Sequence, residues 1–260
     1  MAGVKLEKGI QMKKINCFGL PREIPESIRR EIRKRSGFGC VVCGGAIIEY
    51  HHFNPPFSEA RTHTSEGITA LCPSCHTKVT SGRISSSALI EAVRQPRTYQ
   101  VGYSFDNLEA SGFPTVVLGG LTIKSTPIIL EVAGRTLLGF SPPESPNAPF
   151  GLNALFCDIN GKPIAEIVEN QWRAFVHNWD IDTIGLRTIL RGGYRDISLI
   201  FRTEPPSKIV VERLRMFYKG LRLEGQEGSH LSTYLPNGDL WFHATNTASI
   251  IGCAKGIVFD

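Results

Sequence analysis

Cys40-Val-Val-Cys43 and Cys72-Pro-Ser-Cys75 are two C-x2-C knuckles, and no other feature restricts the fold of this 260-residue chain so sharply. Each knuckle can present two thiolates to one tetrahedral ion. The 28 residues between Cys43 and Cys72 exceed the usual gap of a zinc ribbon, so something must be folded inside it. Four thiolates leave Zn2+ no open position, so the site expected here is a structural zinc site rather than a catalytic one, with buried unliganded thiols or redox pairs as the competing readings. The remaining cysteines, Cys17, Cys157 and Cys253, are scattered. An odd cysteine count and a start, "MAGVKLEKGIQMKK", without an apolar stretch or cleavage pattern argue against an exported disulfide framework. No apolar run approaches the roughly 20 residues that span a bilayer. A cytoplasmic protein without a membrane partner is expected.

Charge and texture divide the chain. Residues 1 to 100 carry 15 Lys and Arg against 8 Asp and Glu, and residues 101 to 260 carry 14 against 16. The excess positive charge suits a polyanion, because cations that neutralise phosphates release condensed counterions. "PESIRREIRKRSG" predicts a helix, with Pro25 in its first turn, Ile28 and Ile32 four apart, and Gly37 as its stop. Its other face carries Arg29, Arg30, Arg33, Lys34 and Arg35. "SALIEAVRQ" predicts a second helix, capped within Ser85 to Ser87 and ended by Pro96. The first 20 residues are a loose arm or a first strand.

From about residue 112 the sequence turns to short β-branched runs broken by Gly, Pro and Asn. "INGKP" and "LPNGDLWF" are hairpin signals, and "SPPESPNAP" is a surface loop. The fold class expected is α+β: a zinc-stabilised region over residues 1 to 100, then a mostly antiparallel all-β domain over 112 to 260, a sandwich or compact solenoid.

Four of the seven histidines, His51, His52, His63 and His76, lie between or just beyond the knuckles. "CVVCGGAIIEYHHFNP", followed by "EGITALCPSCHTKVTSG", resembles the HNH nuclease family with its ββα-metal motif. Knuckles, histidine pair and closing histidine occur together in order over residues 36 to 84. The resemblance implies that His51 and His76 bind a catalytic divalent metal, with His76 at the start of a helix, and that His52 is the general base. An imidazole with a pKa of about 6.5 suits proton abstraction from water near neutral pH, and a divalent cation stabilises charge on a phosphodiester. The substrate implied is DNA, with Lys78 and the face bearing Arg29, Arg30, Arg33 and Lys34 holding flanking phosphates. The family's middle Asn falls at Gly67, which cannot make its hydrogen bond; either His63 or Asn54 substitutes for it, or the enzyme is slow or restricted. Imidazole ligands leave the catalytic ion open among Mg2+, Mn2+, Ni2+ and Zn2+.

The second half offers Trp172, Trp179 and Trp241, each more readily explained by core packing than by ligand recognition. Its expected role is targeting, homo-oligomerisation or contact with a regulatory partner, by analogy with bacterial modification-dependent or phage-defence nucleases, which such two-part chains resemble. The competing reading is a zinc-stabilised nucleic-acid-binding module or adaptor without cleavage activity.

Overall fold

The computed structural model describes residues 15–109, 113–146 and 148–260. Most of the opening arm lies outside them. Helix α1 spans Glu26–Arg35. Ile32, with Ile24, Ile68 and Ala70, forms a small core against which Ile28 and Tyr50 pack, as the four-residue spacing requires. Pro25 stands just before the first turn, not within it. A hairpin of β1 (Glu49–His52) and β2 (Ile68–Leu71) follows, then α2 (Pro73–Thr80), α3 (Ser86–Arg94) and α4 (Arg97–Val101). The Ser85 hydroxyl caps α3 by accepting from the Ala88 N–H at 3.2 Å.

Two larger sheets make up the rest. One contains β3 (Tyr103–Asn107), β6 (Ile128–Val132), β7 (Arg135–Ser141), β8 (Gly151–Cys157), β9 (Pro163–Val168), β10 (Gln171–Phe175) and β19 (Lys255–Phe259), in the order β19-β6-β7-β8-β9-β10-β3. The other is built on β11 (Asp180–Ile184), β12 (Arg187–Gly193), β13 (Asp196–Glu204), β14 (Lys208–Tyr218), β15 (Leu221–Gln226), β16 (His230–Tyr234) and β17 (Leu240–Thr245), in sequence order. It also takes in β4 (Thr115–Leu118), β5 (Leu121–Lys124) and β18 (Ala248–Ile251). The class is α+β with mostly antiparallel sheets. The parallel pairs are β4 with β14, β5 with β18 and β6 with β19. Both hairpin signals fall at turns, between β8 and β9 and between β16 and β17. Asp158 accepts from the N–H groups of Asn160 and Lys162 at 2.8 and 2.9 Å in the first of them. Residues on both sheets share one core, where Trp172 lies 4.3 Å from Phe201 between ring centroids. Trp172 is therefore a packing residue, whereas Trp241 is 46% exposed.

The β region begins upstream of residue 112, because β3 pairs along its whole length with β10. The loop that carries Cys40 and Cys43 is attached to it: Ala46 N–H donates to the Phe105 carbonyl at 2.7 Å, and Phe105 N–H to that of Gly44 at 3.0 Å. Phe38 belongs to the core of the two sheets.

The basic helix face requires a correction. Arg33 is 2% exposed. Its Nε and Nη2 donate to the two carboxylate oxygens of Asp180 at 3.1 and 3.0 Å, Nη2 to Glu26 at 2.8 Å and Nη1 to the Tyr50 hydroxyl at 3.1 Å. A guanidinium fork matched to a buried carboxylate is a tie between α1 and β11, not a phosphate contact. Arg30 lies 3.3 Å from the centroid of the Trp179 ring and stacks there. Arg29 pairs with Glu26 at 2.7 Å, while Lys34 remains exposed. Asp180→Ala would leave Arg33 buried without its main counter-ion. The expected loss is about 3–5 kcal/mol, read as a lower urea midpoint; an unchanged midpoint would show that the pair contributes nothing to stability.

Candidate functional site

The four knuckle thiols converge: the Sγ atoms of Cys40, Cys43, Cys72 and Cys75 all lie within 4.8 Å of one another. Zinc–sulfur bonds of about 2.3 Å in a tetrahedron place sulfurs about 3.8 Å apart, so the spacing suits such an ion. The first pair sits on a tight loop in which Cys40 N–H donates to the Gly45 carbonyl and Gly44 N–H to that of Cys40, both at 2.8 Å. Cys72 is the N-cap of α2, and its sulfur accepts from the Cys75 N–H at 3.4 Å. A hydrogen bond from Cys43 draws the Cys40 thiol down to about 5 despite its burial. Burial, then the neighbouring Cys40, pushes Cys75 up to about 12. Burial and mutual repulsion oppose four thiolates at once, and a cation bound between them would offset both. Among the described residues this is the one group of three or more such side chains able to hold a metal ion.

Strand β1, Glu-Tyr-His-His, runs antiparallel to β2, with Glu49 opposite Leu71 and His51 opposite Thr69. Alternation along a strand places Glu49 and His51 on one face and Tyr50 on the other. Tyr50 packs beside α1. Glu49 and His51 meet His76 of α2: the rings of His51 and His76 are 4.9 Å apart at 72°, and His76 Nδ1 lies 2.5 Å from Glu49 Oε2. His52 ends the strand, where the chain enters the Asn54–Pro55–Pro56 turn. Its Nε2 is 3.1 Å from His63 Nδ1, and its ring meets Phe57 edge-on at 5.2 Å. His51, His52 and His76 all line one open groove of about 510 Å3, together with Arg22, Asn16 and Phe57. Both histidines of the pair thus line one groove although adjacent side chains on a strand diverge.

Burial first, then His63 and Arg22, draws the His52 imidazole down to about 4. Burial, then His76 and Arg22, also lowers that of His51. Both rings are therefore neutral at pH 7, the form in which an imidazole accepts a proton or ligates a metal.

Of the supporting residues expected from the sequence, His63 joins the site directly. Asn54 enters through its backbone, its N–H donating to the Gly67 carbonyl at 3.3 Å. Gly67 is closed over: a Cβ there would collide with the Asn54 carbonyl oxygen. Lys78 lies on the exposed side of α2. Glu49 and Arg22 were not anticipated. Glu49 could have been found from its position two residues before His51 on a strand. No local signal marks Arg22, whose guanidinium lies 5.0 Å from the centroid of the Phe57 ring.

No known protein family, curated protein or solved structure matches the chain. No helix among the described residues is long and apolar enough to cross a membrane.

Proposed function

We propose that the protein is a metal-dependent endonuclease of the HNH kind that hydrolyses phosphodiester bonds in DNA, with structural Zn2+ on the four cysteines. The observation that carries this reading is the convergence of His51, His52 and His76 on one groove, presented by β1 and by α2, whose N-terminus carries Cys72 and Cys75 of the tetrad. His51 and His76 would hold the catalytic ion, which when bound neutralises charge developing on the phosphate. Glu49 accepts a hydrogen bond from His76 Nδ1, leaving Nε2 as the ligand atom, the arrangement by which carboxylates orient metal-binding histidines. Neutral His52 takes the proton from the attacking water. Arg22 and Lys78 supply positive charge to the DNA backbone, and the β sheets direct or restrain the activity.

The test is plasmid nicking by the whole protein with Mg2+, Mn2+, Ni2+ or Zn2+ in turn. Metal-dependent nicking is expected; DNA binding without cleavage under every ion would replace this reading by the nucleic-acid-binding one. Arg22→Ala should weaken duplex binding and flatten the slope of log affinity against log salt by about 0.9 if one phosphate contact is lost. An unchanged slope would remove Arg22 from the DNA path.

A further inference from the structure

His63 lies eleven residues after His52, in the loop that joins β1 to β2, and its two ring nitrogens are both engaged. Nε2 is 2.9 Å from the Pro21 carbonyl oxygen, and Nδ1 is 3.1 Å from His52 Nε2. A carbonyl oxygen only accepts, so His63 carries its hydrogen on Nε2. In the neutral ring Nδ1 is then an acceptor, and the hydrogen between the two histidines belongs to His52 Nε2. His52 Nδ1 is left as the nitrogen with a free lone pair.

The surroundings hold this chain of contacts in place. Asn16 Nδ2 donates to the carbonyls of Phe57 and Ala60 at 2.7 and 2.6 Å, tying the segment before Pro21 to the loop after His52. Phe53 N–H donates to the Gly67 carbonyl at 3.0 Å. Gly67 permits that closure, since any larger residue would meet the Asn54 carbonyl. An orienting side chain therefore has no room at position 67.

We propose that His63 is a positioning residue that holds His52 in its Nε2–H tautomer and fixes the rotation of its ring, so that His52 Nδ1 is the atom that accepts the proton from water. This rests on the endonuclease reading for its catalytic consequence but not for the tautomer. His63 Nδ1 is the atom hydrogen-bonded to His52, so a residue that reproduces that acceptor should suffice. Asn places its side-chain oxygen near the position of His Nδ1, whereas Gln places its terminal group near His Nε2.

The experiment pairs kinetics with spectroscopy on the full-length, zinc-loaded protein. His63→Ala should lower the nicking rate about 10- to 100-fold, the usual cost of removing a partner that orients a site residue, with KM and zinc content near wild type. His63→Asn should recover most of the rate and His63→Gln much less. Nitrogen-15 labelling of the histidines should show His52 protonated on Nε2 in the wild type, and a mixture of tautomers after His63→Ala. Equal rates for His63→Ala and wild type, better rescue by Gln than by Asn, or a wild-type His52 protonated on Nδ1 would each overturn the assignment. If the wild-type protein binds DNA without cutting it, the endonuclease reading fails while the tautomer measurement still decides the role of His63.

Discussion

His52→Ala is expected to abolish DNA cleavage while leaving zinc content, folding and DNA affinity near those of the wild type. The imidazole is half-buried, bonded to His63 and edge-on to Phe57, but it contributes no atom to the cysteine tetrad and no cation to the groove. Removing a positioned general base typically costs 10²- to 10⁴-fold in rate. The same substitution deletes a small surface of contact at the end of a strand, which is too little to unfold a domain. Single-turnover nicking on supercoiled plasmid, beside a binding titration, separates the two quantities. Cleavage within a few-fold of wild type would sink the assignment of His52 as base. A parallel loss of affinity would show that His52 binds DNA instead of acting on water.

Cys40→Ser or Cys75→Ser should have a larger and different effect: loss of the metal together with the local fold. Both residues are buried, and both belong to the small core that also contains Val41, Leu71 and Leu89. So little apolar material cannot by itself order the loops around it, and for sites of this type binding of the metal is itself a large part of folding, about 10–16 kcal/mol in small zinc domains. Cys75 is also on α2, one residue before His76. The variant should therefore lose zinc, thermal stability and cleavage together, in contrast with His52→Ala. Cys253→Ser, an exposed cysteine at a distance in sequence, is the control and should change none of these. A Cys40→Ser protein that retains stoichiometric metal and melts like the wild type would refute the structural site.

The attachment of the two halves changes what can be expected of fragments. A cut near residue 100 would expose Phe38, break the Arg33–Asp180 pair and remove β3 from the knuckle loop. An isolated N-terminal piece is thus less self-sufficient than the charge split between the halves suggests, and the whole protein is the form to assay.

Much of the local structure was legible because its causes are local. The knuckles have a spacing that suits a metal site, and α1 and α3 follow from apolar periodicity and a serine cap. The two hairpin signals depend on a few consecutive turn residues, and the switch from helix to strand texture follows from β-branched runs. The grouping of His51 with His76 was available only through a resemblance, since nothing in their separation of 25 positions requires contact. Tertiary structure decided which side of α1 is buried: Arg33 looked like a surface cation, but Asp180, 147 positions later, turns it inward. It also brought Arg22 to the groove, set Glu49 against His76 and engaged His63 between Pro21 and His52. The physical reason is the same in each case. Periodicity, capping and ligand spacing act within a few bonds along the backbone, whereas a charge's partner or an imidazole's tautomer is set by groups that meet only when distant strands and loops have packed.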